Sequence, residues 1–369
     1  MSDNRIKIGI TQGDINGVGY EVILKALEDN RILELCTPII YGSAKIAAFY
    51  RKTIGLTQIP MNQIQSAADA RQGEYNIINV VGEDVKVEPG VASRTAGEAA
   101  FEALERATFD LRDGQIDALV TAPIDKHTMQ SDRFTFPGHT EYLETTLGNG
   151  SDSRALMILF NDRIRVALVT THLPIAKVPE AITKENVLEK IKDFNASLEK
   201  DFGRPHPHIA VLSLNPHTGE EGLLGTEERD AIIPAIEEAR ELKINSFGPY
   251  SADGFFGNGL YTKFDGVLAM YHDQGLAPFK SLAMGEGVNF TAGLDYVRTS
   301  PDHGTAFDIA GKGEASPDSM REAIYAAIDV LRHRHSHHIA HRNPLRKQYF
   351  EKNKSDNVVL DLTKSDDEK

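Results

Sequence analysis

Residues 265–298, DGVLAMYHDQGLAPFKSLAMGEGVNFTAGLDYVR, decide how the chain is read. They open on an apolar run, residues 266–270, short enough for a buried strand. The run breaks into Tyr271-His272-Asp273-Gln274-Gly275, a polar cluster ending in glycine. Open α/β sheets present reactive groups to a crevice in this way, with polar side chains just past a buried strand. Lys280, Asn289 and Arg298 follow and are expected on connecting segments. An imidazole, a carboxylate, two cations and an amide suit a small anionic substrate handled with a metal.

Working outward, strands are expected at residues 5–11, 38–41, 76–81, 118–121, 156–160, 165–170 and 208–214. Helices are expected at 20–27, 43–51 (capped by Ser43), 93–111, 184–200, 227–242 and 316–332, the last with Pro317 in its first turn. Thr140 can cap a further helix running to about 147, which sets His139 at an anion-favouring N-terminus or leaves it as a surface histidine. Residues 161–163 read as a hairpin-like break, and 248–254 as a loop. Strand alternating with helix predicts an α/β protein, with a mostly parallel sheet covered on both faces. The turn Gln12-Gly13-Asp14-Ile15-Asn16-Gly17-Val18-Gly19 does not have GxGxxG spacing, so a Rossmann site is poorly supported there. Asp14 either caps that turn locally or lines the site.

The chain has 369 residues, 41% of them hydrophobic, enough for two domains or one large one. A net charge of −14 weighs against a nucleic-acid backbone and against an anionic membrane surface. A local cationic pocket can still hold a phosphorylated substrate at short range. One cysteine, Cys36, allows no internal disulfide, and no run is long enough to span a bilayer, so a cytoplasmic location is expected. The stretch HRHSHHIAHR from His333 reads as a solvated helix end that can catch metal. Residues 351–369 are expected to be loosely held, with 358–362 docking as a short strand if they dock at all.

His172, His217 and His272 share one context, each just past an apolar strand: VALVTTH, IAVLSLNPH and GVLAMYH. In a parallel sheet the C-terminal strand ends share an edge, so the three imidazoles can meet around one divalent cation. The donor set suits zinc, cobalt or nickel, and substrate oxygens widen it to magnesium or manganese. A lone histidine is usually an ordinary core or surface residue. Three at equivalent strand ends weaken that reading. Asp253 and Asp273 can orient these ligands or move a proton, and otherwise are ordinary loop carboxylates. Lys280 and Arg298 suit a phosphate or carboxylate anchor rather than solvated cations, because they share a segment with His272. No GxSxG, P-loop or catalytic-cysteine context is present.

The segments GDINGVGYE, PGHTEYL, TTHLP, LNPHTGE, YHDQGLAPFK and VNFTAGLDYVRTSPDHGTAFDIAGKG occur in the order found in the 4-hydroxythreonine-4-phosphate dehydrogenase family, which the chain resembles over about 6–332. That resemblance implies an NAD- or NADP-dependent oxidation of 4-phosphooxy-L-threonine to a β-keto acid. The acid then decarboxylates to 3-amino-2-oxopropyl phosphate. It implies His172, His217 and His272 as ligands of one zinc, magnesium or cobalt ion. It implies substrate contacts from His139, Thr140, Lys280, Asn289 and Arg298. The loop from His303 to Gly311 resembles the cofactor loop of isocitrate and isopropylmalate dehydrogenases and points to Gly304, Thr305 and Asp308. The implied fold is two α/β/α domains with a cleft between them: residues 1–130 plus 278–350, and residues 131–277 with the dimer contacts. A homodimer is implied, with His272 completing the partner's metal site. GDINGVGYE replaces a proline-containing turn, SADGFFG varies the loop around Asp253, and the tail beyond about 343 exceeds the family's usual end. The rival substrate is 4-phospho-D-threonate or erythronate. The rival of another class is a metal-dependent hydrolase or lyase without NAD, and a third is a non-catalytic metal-binding or scaffold protein.

Overall fold

The structure is a computed structural model that describes residues 5–56, 59–82, 84–148, 155–283 and 285–342. The expected strand at 358–362 and the rest of the tail lie outside the described residues.

The described strands are β1 (Ile6–Thr11), β2 (Cys36–Gly42), β3 (Met61–Ile64), β4 (Tyr75–Asn79), β5 (Ala118–Thr121), β6 (Leu156–Phe160), β7 (Arg165–Leu168), β8 (His208–Leu212), β9 (Asn245–Tyr250), β10 (Gly266–Ala269), β11 (Val288–Ala292) and β12 (Val297–Pro301). They form one 12-stranded sheet in the order β3-β4-β2-β1-β5-β12-β11-β6-β7-β10-β8-β9. Pairing is parallel except where β11 meets β12 and β6, and where β6 meets β7 through the expected hairpin. The mixed α/β class expected from the sequence is therefore the observed one.

The side-chain period of two explains why both faces are covered. Ile40, Ala118 and Val120 face one apolar cluster, while Ile39, Tyr41 and Leu119 face another. The helix Arg94–Arg112 packs on β1, β2 and β5, and the helix Asp318–Arg342 packs on β12, β11, β5 and β1. Ser43, Ser93 and Thr183 each accept a hydrogen bond from a first-turn amide, which starts three of the helices. Along Lys184–Lys200 the buried Val187, Leu188, Ile191, Phe194 and Leu198 recur at helical spacing. Each such fully buried side chain contributes about 1.5–3 kcal/mol.

Several local expectations change. Lys280 lies on the helix His272–Ala283, Asn289 on β11 and Arg298 on β12, not on connecting segments. His272 to Gly275, within the polar cluster, form the first turn of that helix, and Tyr271 precedes it. Residues 248–250 belong to β9, and the supposed loop continues as the helix Ala252–Gly257. Glycine and proline mask that edge strand in the sequence, since an edge position tolerates a missing donor. Gly138, not Thr140, is the N-cap of the helix His139–Leu147, and no side chain caps it. The final helix, expected at 316–332, starts at Asp318 and runs on to Arg342, absorbing the histidine-rich stretch.

Candidate active site

Strand ends do bring polar groups to one edge of the sheet, but the helix His272–Ala283 divides them. Its residues His272, Leu276 and Lys280, four apart, line a cavity of about 270 Å³ shared with His139, His172, Asn289 and Arg298. Its other stripe, with Tyr271, Gln274 and Pro278, lines a second cavity of about 540 Å³ shared with His217 and Asp253.

The first cavity is built around Arg298, which is 4% exposed. Its Nε and Nη2 donate to Thr121 Oγ1 at 3.1 and 2.6 Å, and its Nη1 donates to Thr291 Oγ1 at 3.2 Å. These hydroxyls hold the guanidinium without neutralising it. Burial lowers its pKa to about 10, which leaves it cationic at neutral pH. Nη2 also lies 3.2 Å from His139 Nδ1. A guanidinium only donates, so Nδ1 accepts and Nε2 carries the ring proton. Desolvation, then the charges of Arg298 and Lys126, hold His139 well below the usual histidine range, so the ring stays neutral. Its Nε2 is shut off from solvent and has no partner, and the same is true of Asn289 Oδ1. Buried polar atoms without partners cost about 1–3 kcal/mol each, and here both belong to residues that line a cavity. Lys280 Nζ donates to the Asp302 carbonyl at 3.2 Å. Thr140 is not among the lining residues.

His172 and His272 share this cavity, with ring centroids 6.3 Å apart. His272 Nδ1 is 2.7 Å from the exposed Asp273 carboxylate, which accepts a hydrogen bond from the Nδ1–H and so turns Nε2 away as the other ring nitrogen. Glu141, in the first turn of the helix His139–Leu147, lies 3.7 Å from His172 Nδ1. That imidazole holds the Glu141 carboxyl below its usual range, against partial burial.

His217 stands apart, in the second cavity. It starts a left-handed turn in which His217, Thr218, Glu220 and Glu221 all have φ between 43° and 56°. Such backbone costs about 1–2 kcal/mol per non-glycine residue. Glu228 holds the segment that leads into it, accepting from the amides of Leu214 and Asn215 at 2.8 and 2.7 Å. Asp253 accepts from Ser251 Oγ at 2.7 Å; that bond, a backbone amide and nearby His217 hold its pKa below the usual range. Neither Asp253 nor Asp273 lines the first cavity. Among the described residues of one chain, no three histidine, cysteine or carboxylate side chains are placed to hold a metal ion.

The sequence matches the family described as Pyridoxal phosphate biosynthetic protein PdxA over residues 34–327. The chain belongs to the PdxA family. A PdxA relative from Bacteroides thetaiotaomicron, named 4-hydroxythreonine-4-phosphate dehydrogenase, is 58% identical over 99% of this chain and 100% of its own length. A relative from Clostridium botulinum that carries a provisional D-threonate 4-phosphate dehydrogenase name is 37% identical over 89% of this chain and 97% of its own. The crystal structure of a 4-hydroxythreonine-4-phosphate dehydrogenase from Klebsiella pneumoniae superposes with a TM-score of 0.75 at 33% identity, covering 90% of this chain and 99% of that one.

Membership of this dehydrogenase family implies a nicotinamide cofactor and a metal. Two imidazoles with fixed or paired Nδ1 positions fit part of a cation site, and a single PdxA chain falls short by at least one donor. Of the expected cofactor loop, Gly304 reaches the rim of the first cavity beside His303, while Thr305 and Asp308 are not part of its lining. Thr305 instead accepts from the Val18 amide at 3.0 Å, and a Cβ on Gly17 would come within 2.9 Å of its carbonyl oxygen. The glycine-rich first turn thus serves close backbone packing against the loop. Asp14 accepts from the Asn16 amide as a local cap, with its other oxygen buried and unpaired; burial raises its pKa to about 6. Sequence reasoning missed Glu141, Thr121 and Thr291. Only Glu141 had a usable signal, two residues beyond His139 at a helix start.

Proposed function

We propose that the chain oxidises 4-phosphooxy-L-threonine with NAD or NADP to a β-keto acid, which loses carbon dioxide to give 3-amino-2-oxopropyl phosphate. The family supports the reaction class. The observation that carries the substrate class is the buried Arg298–His139 pair, in which His139 Nε2 is buried without a partner and both residues line a cavity together with Lys280 and Asn289. A phosphorylated carboxylic acid supplies the acceptors these donors lack.

Arg298 and the neutral His139 bind and orient the anion, and low dielectric strengthens both contacts. Lys280 closes the rim, and Asn289 adds an amide. A nicotinamide cofactor, when bound, would supply the hydride acceptor for oxidation of the substrate's secondary alcohol, which no side chain can provide. A divalent cation (zinc, magnesium or cobalt) would be held by His172, His217 and His272, acidifying the alcohol and polarising the ketone when bound. Asp273 fixes the His272 ring, and Asp253 lies close enough to influence His217. Gly304, Thr305 and Asp308 remain the proposed cofactor contacts, with Gly304 nearest the chemistry.

The working unit is proposed to be a homodimer, because a second copy can bring the donor that one chain lacks. Large apolar side chains stand exposed just beyond two of the histidines: Ile175 after His172 and Leu223 after His217, 75% and 78% exposed. The two proposed lobes, 1–130 plus 278–350 and 131–277, are supported by the return of β11 and β12 to pair beside β5. A cytoplasmic location is part of the proposal, on the ground of the family's metabolic role. No described helix is long and apolar enough to cross a membrane.

The test is NADH formation from 4-phosphooxy-L-threonine and, separately, from 4-phospho-D-threonate. The Clostridium relative favours the second substrate as the alternative. A site that recognises the amino group should lose at least about tenfold in kcat/KM without it. A higher kcat/KM on 4-phospho-D-threonate would move the assignment to the sugar acid, and no reduced cofactor from either substrate with NAD or with NADP would end the dehydrogenase reading.

A further inference from the structure

Asn16, in the glycine-rich first turn, is 1% exposed and lines neither cavity of the site. Its amide donates to Asp14 Oδ1 at 2.9 Å, and its carbonyl accepts from the Gly90 amide at 2.8 Å. Its side chain reaches the same distant segment. Oδ1 accepts from the Glu88 amide at 2.8 Å, and Nδ2 donates to the Val91 carbonyl at 2.8 Å and to Ser93 Oγ at 3.2 Å. A backbone amide only donates and a carbonyl only accepts, so these partners fix which way the side-chain amide points. Glu88, Gly90 and Val91 are exposed and lie outside any helix or strand. A surface strap, residues 88–91, is thus pinned by one buried side chain 72 residues before Glu88. The strap leads into Ser93, the cap of the helix Arg94–Arg112, which packs on β1.

Turn and strap both press on the loop from His303 to Gly311. The turn meets it at Thr305, through the Val18 amide and the bare Cα of Gly17. The strap meets it further on. Gly90 has a φ of 84°, and a Cβ there would come within 2.8 Å of the Phe307 carbonyl oxygen. A Cβ on Gly311 would come within 3.1 Å of the Pro89 side chain. Thr305 therefore rests on the turn, while Phe307 and Gly311 rest on the strap, and Asn16 joins the two supports.

We propose that Asn16 is the positioning residue of the cofactor loop. By tying turn to strap it holds residues 303–311 in the shape that receives NAD or NADP, without touching the cofactor itself. The inference rests on the reading of that loop as the cofactor's. A loop held in shape beforehand loses little freedom when the ligand arrives. A loop released from one support is competent for only part of the time, and apparent affinity falls by that fraction. The strap groups that Asn16 holds lie at the surface, where water takes its place. Removing Asn16 is therefore expected to cost cofactor affinity more than it costs the fold.

The test compares full-length parent chain with Asn16→Ala and, separately, Gly90→Ala. The second variant leaves the turn intact and drives the strap off Phe307, so it serves even where the first folds poorly. NADH and NADPH are titrated by their own fluorescence, without substrate, and amide hydrogen exchange is followed on the unliganded chain. Each variant should bind the reduced cofactor roughly tenfold more weakly, with the loss appearing in the cofactor KM rather than in kcat. Exchange should quicken at residues 88–91 and also at 303–311. Quicker exchange confined to 88–91, or unchanged cofactor affinity in either folded variant, overturns this inference and leaves the dehydrogenase reading standing. A parent chain that binds neither NADH nor NADPH ends that reading, and this inference with it.

Discussion

The two cavities flanking the helix His272–Ala283 use the same structural device to different ends. The first, of about 270 Å³, is anchored by a buried guanidinium that donates to Thr121 and Thr291. The second, of about 540 Å³, presents His217, exposed on a left-handed turn beside an exposed Asp253. The first has buried donors suited to an anion, and the second offers an exposed imidazole and carboxylate. On the proposed reading, the difference teaches that charge recognition and metal chemistry are assembled at different levels. The proposed anion site is complete in one chain, and the proposed cation site calls for a donor from a second copy.

The largest expected effect sharpens the first half of that contrast. Arg298→Met should lower kcat/KM by about a thousandfold, near 4 kcal/mol, since it removes a desolvated charge and strands His139 Nδ1. A tenfold loss would mean that Lys280 carries the anion instead. Next, His217→Ala should cut turnover by about a hundredfold or more while leaving the melting temperature unchanged, because its side chain is exposed and lies away from the apolar core. Unchanged turnover would confine chemistry to the first cavity. Asp273→Ala should weaken metal affinity by about 10–100-fold through the freed His272 ring, with the fold intact, as metal titration would show. The smallest effect is on pH. His139 folds with a pKa well below 6.5, so the unfolded chain binds the extra proton. Its contribution to stability is full above pH 6.5 and is lost as pH falls toward the folded value. Urea midpoints measured near neutrality and in mild acid should therefore fall less in His139→Gln than in the parent chain, and an equal fall would contradict the neutral-ring assignment.

Much of this was legible in the sequence where chemistry follows periodicity. Alternating isoleucines in β1 and alternate strands and helices pointed to the α/β class, and apolar runs located the strand ends behind His172, His217 and His272. What was not legible depends on geometry that pattern does not encode. Asn289 and Arg298 read as loop residues because β11 and β12 are short and carry polar groups on a face turned to a cavity. β9 was hidden by Gly248 and Pro249. The separation of His217 from His272 comes from which side of one helix each loop falls, and sequence spacing carries no sign of it. The support of Arg298 by Thr121 and Thr291 joins the neighbouring strands β11 and β12 to β5, which lies 177 residues before Arg298 along the chain.

The central claim is that each metal site draws donors from two chains. Co-expression of His217→Ala with His272→Ala tests it most directly, because each variant alone lacks one donor at every site. If the sites are shared between copies, half the dimers are mixed and each mixed dimer rebuilds one of its two sites, so activity should return to about a quarter of the parent level. Activity no higher than that of either variant alone would show that the donors are not exchanged between subunits, and would contradict a metal site shared across the dimer.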